Sequence, residues 1–263
     1  MQLQAQVRAE PANARLRVFL FQLLAVLGQW GRALNQLQVA GELDAGSLAM
    51  VNTYREALRC EVLRAEVFAG ARSPLIFGDP QQWLALLLEA LRLTAQGRHS
   101  ESQALRAEAF ALAPTTGGSV DGAPCAWLAD ADARLGPVLE AIVNGRYYWI
   151  PLQRVRQIRV EAPVDLRDLV WAPAQLAWAN GGDTVAFIPT RYPGSESSED
   201  PQLRMARKTD WIAQPAELYL GLGQRMLASD TGEYPLLEIR QVTLATDQSP
   251  DTPAAPWVSP EQP

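Results

Sequence analysis

The apolar residues of this chain recur with a helical period up to about residue 115 and gather into short, strand-like runs after it. That changeover limits the fold more than any other feature, because one pattern cannot satisfy both geometries. Leu16, Leu20, Leu23, Leu24 and Leu27 fall at i, i+4, i+7, i+8 and i+11 and make one helix face. Pro11 and Asn13 offer a start for this helix, and Gly28 and Gly31 a break. Arg32–Ala40 extends into a second helix. Asp44 is placed to cap a third, which runs through Leu48, Val51, Tyr54, Leu58 and Val62 to Gly70. Ser73–Pro80 (SPLIFGDP) reads as a loop. Gln81–Ala95 sets Trp83, Leu84, Leu87, Leu88 and Leu91 on one face, Gly97 ends it, and Ser100–Ala113 is the last helix before Pro114.

A faint repeat runs through these helices. Gly28 is followed by Ala33 at +5 and Ala40 at +12, and Gly97 by Ser102 and Ala109 at the same offsets. Glycine permits a tight interhelical turn, and small residues let paired helices approach closely. The two glycines are 69 positions apart, about twice the ~34-residue period of tetratricopeptide (TPR) hairpins. The intervening unit would turn near Val62, where the helix pattern is unbroken. The reading is a degenerate TPR-like array, with a plain helical bundle as the alternative.

Thr115–Ala123 (TTGGSVDGA) reads as a linker. Trp127–Val143 is compatible with a helix interrupted at Gly136-Pro137. Beyond it lie Tyr147–Ile150, Val155–Val160, Leu169–Trp171, Gln175–Ala179, Thr184–Ile188, Leu218–Leu222 and Leu236–Leu244, all strand-like. Asn180-Gly181-Gly182-Asp183 between two of these runs is the best hairpin turn in the chain. Arg191–Gln202 reads as a polar loop. The expected fold class is α+β: a TPR-like helical-hairpin region over 1–115, then a small antiparallel, partly barrel-like β domain with a flanking helix over 116–247. Residues 248–263, with prolines at 250, 253, 256, 260 and 263, read as an extended or disordered tail.

Composition then narrows function. The 23 basic and 29 acidic residues give a net charge of −6, the wrong sign for a sequence-independent nucleic-acid binder. His99 is the sole histidine and Lys208 the sole lysine. Any Ser-His-Asp or Cys-His mechanism would have to run through His99, and any Schiff base through Lys208. His99-Ser100-Glu101 and Pro124-Cys125 mimic a zinc-deaminase signature, but the second cysteine is replaced by Leu128. Two ligands remain where catalytic zinc needs three. No cofactor and no metal are therefore expected. Cys60 and Cys125 read as reduced thiols filling apolar space, with a single disulfide as the alternative. No run reaches the ~18 apolar residues of a membrane span, so no membrane partner is expected and the location expected is the cytoplasm.

Three further local patterns have both a chemical and a structural reading. Asp130 and Asp132 face apart if helical and read as charges at a helix N-terminus. Arg154, Arg156 and Arg159 read as the solvated face of an edge strand. Gly221 and Gly223 read as a strand end or bulge. Five of the eight tryptophans lie between 127 and 211, with Tyr147, Tyr148, Tyr192 and Tyr219 close by. Such residues build either a core or a partner surface. Trp30, Tyr54, Trp83, Arg191 and Tyr192 are the expected partner-binding residues; no catalytic residue is expected. A rival reading places an enzyme site at the junction of the two halves, using Asp130, Asp132, Arg191 and Tyr192. A third is a structural baseplate module.

Several stretches also carry a resemblance: ADADARLGPVLEAIVNGRYYWIP (129–151), DLRDLVWAPAQL (165–176), NGGDTVAFIPTRYPGSE (180–196), LRMARKTDW (203–211) and YLGLGQRMLASDTGEYPLLEIR (219–240). In this order they resemble the ImpE/TagJ (SciE-type) family, accessory components of bacterial type VI secretion systems. Ala186 departs from a glycine common in that family, and the Pro-rich tail is outside its pattern. The resemblance implies a non-enzymatic cytoplasmic adaptor. Its implied partners are the small subunit of the contractile sheath and the AAA+ ATPase that disassembles spent sheath. It transfers no catalytic residues.

Overall fold

The computed structural model describes residues 2–246; the Pro-rich tail lies outside them. The class is α+β. A short helix α1 (Gln2–Ala9) precedes α2 (Ala14–Val26), whose N-cap Asn13 accepts from the Leu16 amide. Helices α3 (Trp30–Leu43), α4 (Leu48–Phe68), α5 (Gln82–Ala95) and α6 (His99–Leu112) follow. The hairpins α2–α3 and α5–α6 turn at Gly28 and Gly97, with φ of +65° and +75°, a region that favours glycine. Ala33, Ala40, Ser102 and Ala109 are all fully buried between the paired helices, which is the reason for small residues at both offsets. Between the hairpins α4 runs unbroken, as its sequence requires.

The segment expected to be a loop, Ser73–Pro80, contains the two-residue strand β1 (Leu75–Ile76). The expected linker is also structured. It holds β2 (Gly118–Val120) and leads into β3 (Ala123–Cys125). A Cβ on Gly118 would stand 2.0 Å from the Thr243 carbonyl oxygen, so the glycine serves close strand approach and not slack. The helix considered for Trp127–Val143 is instead β4 (Leu128–Asp130), a turn, and β5 (Val138–Val143). Every residue of β5 is buried, so its apolar run carries no helical face to read.

The remaining strands are β6 (Arg146–Pro151), β7 (Val155–Val160), β8 (Trp171–Trp178), β9 (Asp183–Pro189), β10 (Thr209–Gln214), β11 (Leu218–Gly223), β12 (Met226–Ser229), β13 (Glu233–Pro235) and β14 (Gln241–Leu244). A one-turn helix α7 (Pro201–Arg204) interrupts the loop after β9. Nine strands form one sheet in the order β1-β6-β5-β9-β8-β7-β14-β2-β3. All pairs are antiparallel except β1 with β6. The sheet is open, with β1 and β3 at its rims, not barrel-like. The Gly-rich turn joins β8 to β9 as expected. Strand β7 is not an edge: it lies between β8 and β14, and Arg156 and Arg159 are simply on its solvated face. Of Leu236–Leu244 only β14 is strand.

Two cores result. One face of the sheet packs on the helices through Tyr147, Trp149 and Trp171 against Phe21, Tyr54 and Leu84. The other face packs Ile150, Val155, Ile158, Leu176 and Ile188 in one core with Leu227 of β12, Tyr234 of β13 and Leu236 and Ile239 from the segment before β14. Cys60 and Cys125 are buried free thiols. Among the described residues no helix is long and apolar enough to cross a membrane.

Candidate functional site: a buried charge cluster and two surface grooves

The helix-facing side of the sheet carries an unusual load. Four carboxylates (Glu61, Asp130, Asp132, Glu140) and four guanidinium groups (Arg64, Arg134, Arg191, Arg225) are buried there. Burying one unpaired charge costs several kcal/mol, so geometry must compensate. Arg64 on α4 donates to Glu140 on β5 at 2.7 and 3.1 Å and to the Arg191 carbonyl at 2.8 Å. Arg225, fully buried, forks between Asp130 and Glu140 and also donates to the Pro189 carbonyl at 2.9 Å. The Tyr147 hydroxyl donates to Glu140 and accepts from the Trp149 indole at 2.8 Å. Tyr192 donates to Asp130 at 3.0 Å, and Trp171 donates to Glu61 at 2.9 Å. Asp132 accepts from Arg134 at 2.9 Å and from the Gly221 amide at 2.8 Å. Both oxygens of Asp130, Asp132 and Glu140 are thus engaged from within the chain, and the second oxygen of Glu61 lies 3.5 Å from Arg64.

The titration properties follow from this geometry. Burial alone would raise Glu140, but Arg64 and Arg225 reverse it and hold the carboxyl at about 2. Asp130 shares Arg225 with Glu140, and burial pushes it up to about 6. Burial likewise raises Glu61 and lowers Arg191 to about 10.

The sequence singled out Asp130, Asp132, Arg191 and Tyr192, and the fold does bring them to this cluster. Their roles differ from those expected. Asp130 ends a strand and Asp132 lies in the turn after it, and each is tied to arginine; neither caps a helix. Arg191 donates at 2.7 Å to the carbonyls of Val26 and Arg204. It thus neutralises the C-terminus of α2, where a cation is favoured. The Tyr192 ring lies over Gly221, where a Cβ would come within 2.3 Å of it. Tyr54, Trp83, Arg191 and Tyr192 are all buried, and Trp30 is half-buried 6.2 Å from Trp171. Their side chains hold the interior together and offer little surface.

Surface apolar residues gather elsewhere. A groove of about 580 Å³ lies between α2, the start of α4 and the segment before β8, lined by Val18, Phe19, Met50, Val164 and Leu166 and rimmed by Arg15, Asp44, Asp165 and Arg167. Phe19 is 50% and Val164 91% exposed. A second groove of about 480 Å³, mostly apolar, lies where the end of α6 meets β4. Phe110 and Trp127 stand half-exposed in it. No motif in the sequence marks either groove. An apolar Val164 within the polar stretch EAPVD was the available signal for the first.

Residues 122–243 match the family model described as ImpE protein. The type VI secretion system accessory component TagJ of Pseudomonas aeruginosa is 55% identical over 240 residues, covering 91% of this chain and 84% of that protein. The chain belongs to the ImpE family. The X-ray structure of protein VPA1032 from Vibrio parahaemolyticus shares the fold, with a TM-score of 0.85 at 21% identity over 94% of this chain and 92% of that one. The ImpE match holds Asp130, Asp132, Arg134, Glu140, Arg191 and Arg225, whereas Glu61 and Arg64 come from α4, outside it. The ImpE portion here is thus completed electrostatically by the helices that precede it.

Proposed function

We propose that this protein is a non-catalytic, cytoplasmic accessory component of a type VI secretion system, an adaptor that binds the small sheath subunit and assists its handling by the AAA+ disassembly ATPase. The observation that carries the reading is the 55% identity, over 91% of the chain, to an accessory component of such a system. The buried cluster supports the non-catalytic part, because its carboxylates and guanidinium groups are spent on partners within the chain. The groove beside Phe19 and Val164 supports the adaptor part. An amphipathic helix laid in it would cover the exposed apolar residues and meet both signs of charge at the rim. We assign capture to the helical region 1–115, with the segment before β8 closing one wall.

The test is a calorimetric titration of the full chain with a peptide from the N-terminal region of the small sheath subunit, repeated with Phe19→Asp and Val164→Asp. Saturable binding weakened at least ten-fold by both substitutions is expected. Full affinity in both variants would move the site to a free strand edge such as β10. Separate pull-downs with the sheath subunit and the ATPase distinguish an adaptor from a baseplate module.

A further inference from the structure

An outer strand edge presents unpaired amides and carbonyls, and folded chains blunt such edges by shortness, proline or cover. Among the described residues, all outer edges of the three sheets but one are treated in this way. Strand β1 has two residues, and β3 and β13 contain Pro124 and Pro235. The outward amides of β4 donate to the Thr116 and Gly136 carbonyls. Those of β11 at Gly221 and Gly223 donate to Asp132 and Ser195. The exception is β10, six residues long and without proline. Its partner register sets Thr209 opposite Gly223 and Trp211 opposite Gly221. Because those glycine amides point away from β10, the pairs are not hydrogen-bonded ones, and Thr209, Trp211 and Ala213 turn their amides and carbonyls outward. The Trp211 amide is met at 3.0 Å by the carboxylate of Asp210, a contact that a partner carbonyl can replace. The Thr209 and Ala213 amides have no acceptor among the described residues.

This edge is complementary to itself. In an antiparallel pairing about a two-fold axis at Trp211, Thr209 meets Ala213 of the other copy, Trp211 meets its own counterpart, and every outward amide gains a carbonyl. Asp210 then faces Ile212, so no like charges stand opposite one another. Lys208 faces Gln214, which brings the base of each hairpin beside the turn of the other. The base carries exposed Arg207 and Lys208, and the turn carries exposed Glu217. Neither Arg207 nor Glu217 has an ion-pair partner among the described residues. Opposite charge thus meets at both ends of the pairing. The ribbon also holds Ile212 and Tyr219, 45% and 55% exposed, in solvent on its two faces. Trp211 packs on Tyr192 with ring centroids 5.7 Å apart, which ties the edge to the core.

We propose that β10 is a self-association edge: two copies of this chain pair β10 to β10, antiparallel, and join their hairpins into one four-stranded sheet. The contact uses the same patch on both copies, so it closes as a dimer and does not propagate into a filament.

Sedimentation velocity on the full chain tests this, from about 5 µM to about 500 µM, a range suited to an interface at the small end of the size scale. A concentration-dependent monomer–dimer equilibrium is expected. Ala213→Pro removes an outward amide that the chain's own hairpin does not use, and is expected to weaken the dimer about ten-fold or more with an unchanged circular dichroism spectrum. Arg207→Glu and Glu217→Arg are each expected to weaken it about three-fold or more. The double variant restores both end contacts with the signs exchanged and is expected to recover the original dimer, a rescue that a misfolded protein would not show. A chain that stays monomeric throughout would overturn the proposal and leave the edge to a strand of another protein. So would a dimer indifferent to Ala213→Pro, or a double variant no stronger than the single ones.

Discussion

The two faces of the nine-stranded sheet are held by different physics. Away from the helices, Val155, Ile158, Leu176 and Ile188 make an aliphatic layer. Toward the helices, aromatic rings surround four buried carboxylates and four buried arginines. Alternation along β5 makes the contrast local: Leu139, Ala141 and Val143 join the first face, while Val138, Glu140 and Ile142 point to the second. An aliphatic layer tolerates any filling of the right volume. The charged layer accepts one register only, because Glu140 must meet Arg64, Arg225 and Tyr147 together. Stability can come from either face, but strand register is enforced mainly by the second.

The largest effect expected on this contrast is that of Arg225→Met. It strands Asp130 and Glu140 without their shared cation, and a broken buried pair costs about 3–5 kcal/mol. Urea denaturation should show that loss; a change below ~1 kcal/mol would mean the cluster has no structural weight. Arg225→Lys should recover little of it, since a point charge cannot fork between two carboxylates and the Pro189 carbonyl. Next is Leu176→Ala on the aliphatic face, with an expected loss of about 2–4 kcal/mol from the cavity created. The same value should be found at pH 5 and pH 7.

Asp130→Asn sharpens the comparison through pH. The folded carboxyl titrates near 6, above its ordinary value of 3.8. Between those values the folded state holds a proton that the unfolded state has lost, so Asp130 makes stability fall as pH rises from about 4 to 6. Unfolding free energies from urea denaturation across that window should drop less steeply in the asparagine variant, by an amount on the order of 1–3 kcal/mol. Parallel slopes would contradict the raised titration. The smallest effect expected is Ile188→Val, about 1 kcal/mol and without pH dependence.

Much of the helical region was legible because its signals are local. A 3.6-residue period, a glycine at each hairpin and small residues at matching offsets all lie within one hairpin of sequence. The β8–β9 turn was legible for the same reason. The parallel pairing of β1 with β6 and the seat of β14 between β7 and β2 were not, since nothing near those residues encodes a distant neighbour. The cluster was hidden by the same separation. Arg64 and Glu140 are 76 positions apart, and Arg225 and Asp130 are 95 apart. A lone glutamate inside the apolar run VLEAIV was the one local hint that a buried charge awaited a partner. Asp130 and Tyr192 were singled out without the arginine that unites them.

The hold of Arg191 on the last carbonyls of α2 has a mechanical consequence. The same helix carries Phe19 on its exposed side, so a ligand levering on Phe19 would pull on an anchor rooted in the loop after β9. Force applied at the periphery would not fray the helix end first. It would be delivered as torque to the most densely wired part of the molecule.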